Sequence, residues 1–184
     1  MLSRSDRRLL RLARTRGHFG AADAVMRALG AAGEWGAVWA AIGLAGAAAD
    51  PARRSRWLRA AAIGPCAVAA NYAVKVVVRR PRPRLRGLPP LAGAPSELSF
   101  PSAHATSSLA AATAFGRVEP RTRLPLYGLA ASICATRPYL GMHYPSDVLA
   151  GAALGLAIGA LVPGVGERSL EARLIDLIAR GGRT

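Results

Sequence analysis

The sequence predicts an all-α integral membrane bundle of about five transmembrane helices, with amphipathic surface helices at its N- and C-terminal ends. Three observations lead there. Apolar runs of spanning or near-spanning length recur along the 184 residues, separated by basic or Pro-rich breaks. The chain is 52% hydrophobic but only 5% aromatic, so small residues dominate the runs, as suits close helix packing in a bilayer. The formal net charge of +15 is carried by arginines that sit at the ends of those runs, where membrane proteins keep them.

Residues 1–30 read as one amphipathic interfacial helix. Leu9, Leu12 and Ala13 share one face, and Arg7, Arg11 and Arg14 the other. No uninterrupted apolar region follows the basic start, so no cleaved leader is expected. The transmembrane core is expected over residues 31–163. Its first span is 31–49, with Trp35 and Trp39 near its start, Glu34 at its edge and Asp50-Pro51 closing it. The second is 58–78, and residues 79–98 form a basic, Pro-rich loop. A third, short span begins around Pro101-Ser102, a helix N-terminal signal. The fourth covers 124–136 and the fifth 146–162. Gly151, Gly155 and Gly159 recur at i+4 on the fifth and read as a packing surface. Residues 164–184 form a C-terminal amphipathic helix, with Leu170, Leu174 and Ile178 opposed to Arg173, Asp176 and Arg180.

A basic chain invites a nucleic-acid reading, but no aromatic-interleaved basic face supports it, so no nucleic-acid partner is expected. Cys66 and Cys134 lie inside apolar runs and read as small buried hydrophobes. The expected partners are membrane lipids and a lipid phosphate; nothing in the pattern specifies an oligomeric state.

With spans alternating in direction, three clusters emerge on one side. They are Lys75 with Arg82, Ser102 with His104, and Arg137 with His143 and Asp147. Charged groups near lipid are costly and mark function. Lys75, the only lysine in the chain, joins Arg82 and Arg137 to neutralise a dianion. The start of the third helix offers free N–H groups to an anion, and Ser102 adds a hydroxyl. His143 and Asp147, four apart, share a helix face, so the carboxylate can orient the imidazole for attack on phosphorus. His104 then protonates the leaving oxygen and activates water. No acidic cluster for magnesium and no zinc set is present, so neither metal nor cofactor is expected. Arg79, Arg80, Arg84 and Arg86 read as interfacial anchors, and Tyr139 and Tyr144 as belt residues.

The patterns Lys-x6-Arg-Pro at Lys75–Pro83, Pro-Ser-x-His at Pro101–His104 and Arg-x5-His-x3-Asp at Arg137–Asp147 occur in order. Together they resemble the three motifs of the type 2 phosphatidic acid phosphatase superfamily. The resemblance covers roughly residues 60–163. It implies a metal-independent lipid phosphatase with His143 as nucleophile, Asp147 as its partner and His104 as acid/base. It also implies Lys75, Arg82, Ser102, the Ala103 backbone and Arg137 as phosphate ligands. Two positions depart from the family pattern: Ala103 replaces the usual glycine, and Thr136 the usual serine. The phrases Arg-Arg-Pro-Arg-Pro and Leu-Ser-Phe-Pro-Ser-Ala-His are similar to a small actinobacterial branch that includes decaprenylphosphoryl-5-phosphoribose phosphatases. Undecaprenyl diphosphate, phosphatidic acid and phosphatidylglycerophosphate are the alternative substrates. A vanadate-dependent haloperoxidase and a small helical channel are the rival classes. The expected location is a bacterial plasma membrane. With the expected phosphate ligands set aside, arginines are shared equally between its two sides, and the dense N-terminal cluster favours a site on the cytoplasmic face.

Overall fold

The structure, a computed structural model, describes residues 4–165. The expected helix over 164–184 therefore lies almost wholly outside the described residues. Seven α-helices follow in order: α1 (Arg4–Thr15), α2 (Gly20–Ala32), α3 (Ala37–Ala49), α4 (Arg54–Val78), α5 (Ala103–Val118), α6 (Arg123–Tyr139) and α7 (Pro145–Leu161). Among the described residues there is no strand. The 79–102 loop carries two isolated bridges, Pro81 with Leu98 and Leu85 with Leu88.

The N-terminal reading needs correction. The expected single helix over 1–30 is two helices, and the second belongs to the bundle. α2 continues into α3 through a break at Glu34–Gly36, where the two axes bend by 52°. Trp35 at φ 52° and Gly36 at φ 76° both occupy the left-handed region there, and the turn they make stops one continuous helix. Trp35 is exposed. Trp39, one turn later, is fully buried and donates from Nε1 to Ser108 Oγ at 3.0 Å.

The apolar helical stretch expected over 31–49 is thus continuous with α2 across a bend. Among the described residues, Pro51–Val78 is the helical stretch long and apolar enough to cross a membrane alone; the bent α2–α3 pair would make a second. α7 is apolar but only 17 residues long.

α5 sits at the centre, and nearly all of it is buried. Ala and Ser positions let its neighbours approach closely. Gly151, Gly155 and Gly159 of α7 lie against it in parallel. An added Cβ would meet the carbonyl oxygens of Ser102 and Ala110 at 2.5 Å, and that of Thr106 closer still. The glycine stripe is therefore a packing surface, as its spacing suggests. α4 runs antiparallel to α5, with Asn71 Nδ2 donating to Thr106 Oγ1 at 2.9 Å near one end and Trp57 packing on Phe115 near the other. Phe115, Trp39 and Ile133 fill the core between these helices. The alternating directions bring the end of α4, the start of α5, the end of α6 and the start of α7 to one face.

Candidate active site

That face holds a cavity of about 860 Å³. Lys75, Arg82, Ala103, His104, Arg137 and His143 line it, together with Glu34. One wall is apolar and runs along α4 through Pro65, Val68, Ala69 and Tyr72. The cavity is therefore amphipathic, with charge at one end and lipid-like surface along a side.

Two of the cations, Lys75 and Arg82, are held by carbonyl oxygens. Lys75 Nζ donates to Leu98 O at 3.1 Å, which leaves two of the ammonium's three donors. Arg82 donates from Nε to Ser96 O at 2.6 Å and from Nη1 to Met142 O at 2.9 Å. Arg137 is buried, and its Nε has no hydrogen-bond partner among the described residues. None of the three forms an ion pair with a carboxylate among the described residues. Buried cations without a paired anion are electrostatically costly, and they make the cavity a ready seat for one.

Both histidines turn Nε2 toward a guanidinium of the cavity. Arg82 Nη1 lies 3.1 Å from His143 Nε2, and a guanidinium can only donate. His143 Nε2 therefore presents a lone pair, and its ring proton sits on Nδ1, which faces Asp147 Oδ2 at 3.6 Å. His104 Nε2 lies 3.0 Å from Gly30 O, which can only accept, so whenever that nitrogen is protonated it donates to this carbonyl. Arg137 Nη1 is 3.3 Å from the same nitrogen, and Glu34 Oε2 is 3.6 Å away. Glu34, expected merely at a span edge, is brought beside His104 by the α2–α3 break. Gly33 makes this approach possible, since a Cβ there would meet His104 Cδ2 at 3.0 Å and Ile133 Cγ2 at 2.8 Å.

His143 lies in the turn between α6 and α7, outside both helices. Burial pushes its imidazole down to about 3, against the pull of Asp147; Arg82, Arg137 and Lys75 push the same way as burial. The ring is neutral at ordinary pH, which leaves one ring nitrogen with a free lone pair.

Ser102 and Asp147 stand behind the lining. Ser102 is the N-cap of α5; its Oγ accepts a long hydrogen bond from Ala105 N at 3.5 Å, and its N–H donates to Asp147 O at 2.9 Å. Asp147 is fully buried; Oδ2 accepts from Tyr144 N at 2.8 Å and Oδ1 from Arg80 Nη1 at 2.6 Å. Arg80 is thus no interfacial anchor. It turns inward, bridges Asp147 to Asp6 of α1 at 2.7 Å, and lies 4.4 Å over the Tyr144 ring. Tyr139, expected in an aromatic belt, instead donates to Asp23 Oδ1 at 2.7 Å and stacks on His18. Among the described residues no group of three His, Cys, Asp or Glu side chains is gathered to hold a metal ion.

Known proteins match this chain in sequence and in fold. Residues 56–169 match the PAP2 superfamily, and the chain belongs to it. It is 44% identical over 151 residues to decaprenylphosphoryl-5-phosphoribose phosphatase of Mycobacterium tuberculosis, which covers 82% of this chain and 84% of that protein. The protein of the same name from Mycolicibacterium smegmatis is 45% identical over 126 residues, covering 68% of each chain. A lipid A 1-phosphatase of Rhizobium etli is 42% identical over 66 residues, covering 36% of this chain and 28% of that one. In fold, the chain is similar to a crystal structure of a transmembrane PAP2-type phosphatidylglycerolphosphate phosphatase from Bacillus subtilis. The TM-score is 0.69 at 24% identity, covering 87% of this chain and 83% of that one. The chain is a PAP2-type phosphatase with the fold of a membrane protein.

Proposed function

We propose that the chain hydrolyses the terminal phosphomonoester of a polyprenylphosphoryl phosphoribose through a phosphohistidine, without a metal ion. The single observation that carries this reading is the placement of His104 and His143 on one cavity with Lys75, Arg82 and Arg137, cations that have no carboxylate partner among the described residues. His143 Nε2 attacks phosphorus as the bond to the leaving oxygen breaks. His104, made an imidazolium beside Glu34 and the bound phosphate dianion, delivers its Nε2 proton to that oxygen and becomes neutral, and the dephosphorylated lipid leaves. The now basic His104 nitrogen takes a proton from water, whose oxygen attacks the phosphorus and expels His143 Nε2, giving inorganic phosphate. Lys75, Arg82 and Arg137 balance the charge on the equatorial oxygens, which is most of what phosphoryl transfer needs. Asp147 balances the imidazolium that forms on attack.

The apolar α4 wall supports a lipid substrate, and the two similar phosphoribose phosphatases support the polyprenyl class. The catalytic core runs from α2 to α7 rather than starting at residue 31, and α1 packs against its site end. The site belongs on the cytoplasmic face of a bacterial plasma membrane, since the arginines of α1 lie on the side that carries it.

Phosphate release in detergent with EDTA tests the reading across four lipids: a prenylphosphoryl phosphoribose, undecaprenyl diphosphate, phosphatidic acid and phosphatidylglycerophosphate. The first is expected to turn over with the highest kcat/KM, insensitive to chelation and blocked by vanadate. A strict magnesium requirement would overturn the mechanism, and a clear preference for another lipid would overturn the substrate.

A further inference from the structure

We propose that Asp6 and Arg80 are positioning residues for the nucleophile. Arg80, anchored by Asp6 on α1, fixes the carboxylate of Asp147 in the orientation that steadies His143. This deepens the phosphohistidine reading and rests on it.

The contacts form a continuous chain. Arg80 Nη1 donates to Asp147 Oδ1 at 2.6 Å and to Ser146 Oγ at 2.7 Å. Its Nη2 donates to Asp6 Oδ2 at 2.7 Å. Asp6 also receives Ser146 N on Oδ1 at 3.0 Å and Ser146 Oγ on Oδ2 at 2.5 Å. Burial alone would raise the Asp6 carboxyl; the hydrogen bonds from Ser146 and Arg80 outweigh it and hold the group below its usual range. Both carboxylates are buried, Asp6 at 7% and Asp147 at 0% exposure.

The geometry divides the work between the two oxygens of Asp147. Oδ1 is held by Arg80, while Oδ2 is held by Tyr144 N and faces His143 Nδ1. Without Arg80, one backbone N–H would be the remaining hydrogen bond to this carboxylate among the described residues. The terminal torsion of an Asp side chain is soft, so the group could then swing. A planar guanidinium spans two carboxylates at once; an ammonium is a point charge and does so poorly. Asp6 supplies the second anchor, and so α1 becomes part of the catalytic frame. An Arg serving only as an interfacial anchor would reach for water or headgroups. This side chain is 17% exposed and spends its donors on Asp6, Ser146 and Asp147.

The test uses the full chain in detergent, with the lipid phosphate that turns over fastest. Arg80→Ala is expected to lower kcat about 100-fold, the scale of a misplaced catalytic group, with KM within about threefold. Millimolar guanidinium should restore much of that loss, and equal sodium chloride should not. Asp6→Asn keeps the shape and removes the charge; its kcat is expected to fall about tenfold. A monodisperse Arg80→Ala protein with wild-type kcat, or with a loss that guanidinium leaves unmoved, would overturn the proposal. If Arg80→Ala fails to fold, Arg80→Lys decides: lowered kcat at unchanged KM supports the proposal, and wild-type kcat overturns it. His143→Ala separates the two claims. Activity retained there sinks the phosphohistidine reading. An inactive His143→Ala beside fully active Arg80 and Asp6 variants sinks only this inference.

Discussion

His143 Nδ1 and Asp147 Oδ2 face each other at 3.6 Å, beyond hydrogen-bond length, while the carboxylate's nearer partners are Tyr144 N and Arg80. The pair is a long contact when the ring is neutral. It becomes a charge-assisted one when attack makes the ring an imidazolium. Interactions that strengthen along the reaction accelerate it, and those already complete in the ground state do not. Asp147→Asn keeps the shape and removes that growing attraction. It is expected to lower kcat by about 10²- to 10⁴-fold with little change in KM. Steady-state phosphate release measures both; an equal loss carried wholly by KM would assign Asp147 to binding instead.

The α5–α7 contact sets where His104 and Asp147 stand relative to each other. A Cβ at Gly155 would press on Thr106 O and lie 3.0 Å from Leu109 Cβ. Gly155→Ala is therefore expected to destabilise the fold by about 1–3 kcal/mol, the usual scale of overpacking. Gly128 of α6 has no heavy atom near its missing Cβ, so Gly128→Ala should be neutral or slightly stabilising. Thermal unfolding in detergent compares the two, and a Gly155→Ala protein as stable as wild type would contradict the packing account.

Acid should weaken the fold through His143. Its folded-state value is depressed to about 3 by burial, against about 6.5 in an unfolded chain. Between those values the unfolded state holds the proton and the folded state does not. Stability is therefore fully present above about pH 6.5 and drains away as pH falls toward 3, by up to about 1.4 kcal/mol per unit. Melting curves of wild type and His143→Asn from pH 7.5 to 4.5 check this. The wild type should lose stability more steeply, and parallel curves would contradict the buried neutral ring.

The two histidines and three cations were legible because such groups are expensive beside apolar helices, and alternating spans had to bring them together. The glycine stripe was legible for the same kind of reason: a regular i+4 gap on an apolar helix has few uses besides close packing. Arg80 was not. In Arg79-Arg80-Pro81-Arg82 no local rule separates an anchor from a bridge, and its partner Asp6 lies 74 residues away. The break at Glu34–Gly36 was hidden because an apolar run reads as one helix, even though Gly33 and Gly36 flank the kink. Ser102 caps α5 through an accepting Oγ, a role its Pro-Ser signal allows and one that leaves the hydroxyl proton for an anion.

The central claim is that His143 Nε2 becomes phosphorylated. Rapid quenching in base of enzyme mixed with ³²P-labelled lipid phosphate, followed by peptide mapping, reads this directly. The account predicts acid-labile, base-stable label on His143, present in wild type, accumulating in His104→Ala with an activated leaving group, and absent in His143→Ala. Label on another residue, or rapid turnover by the His143→Ala protein, would contradict it.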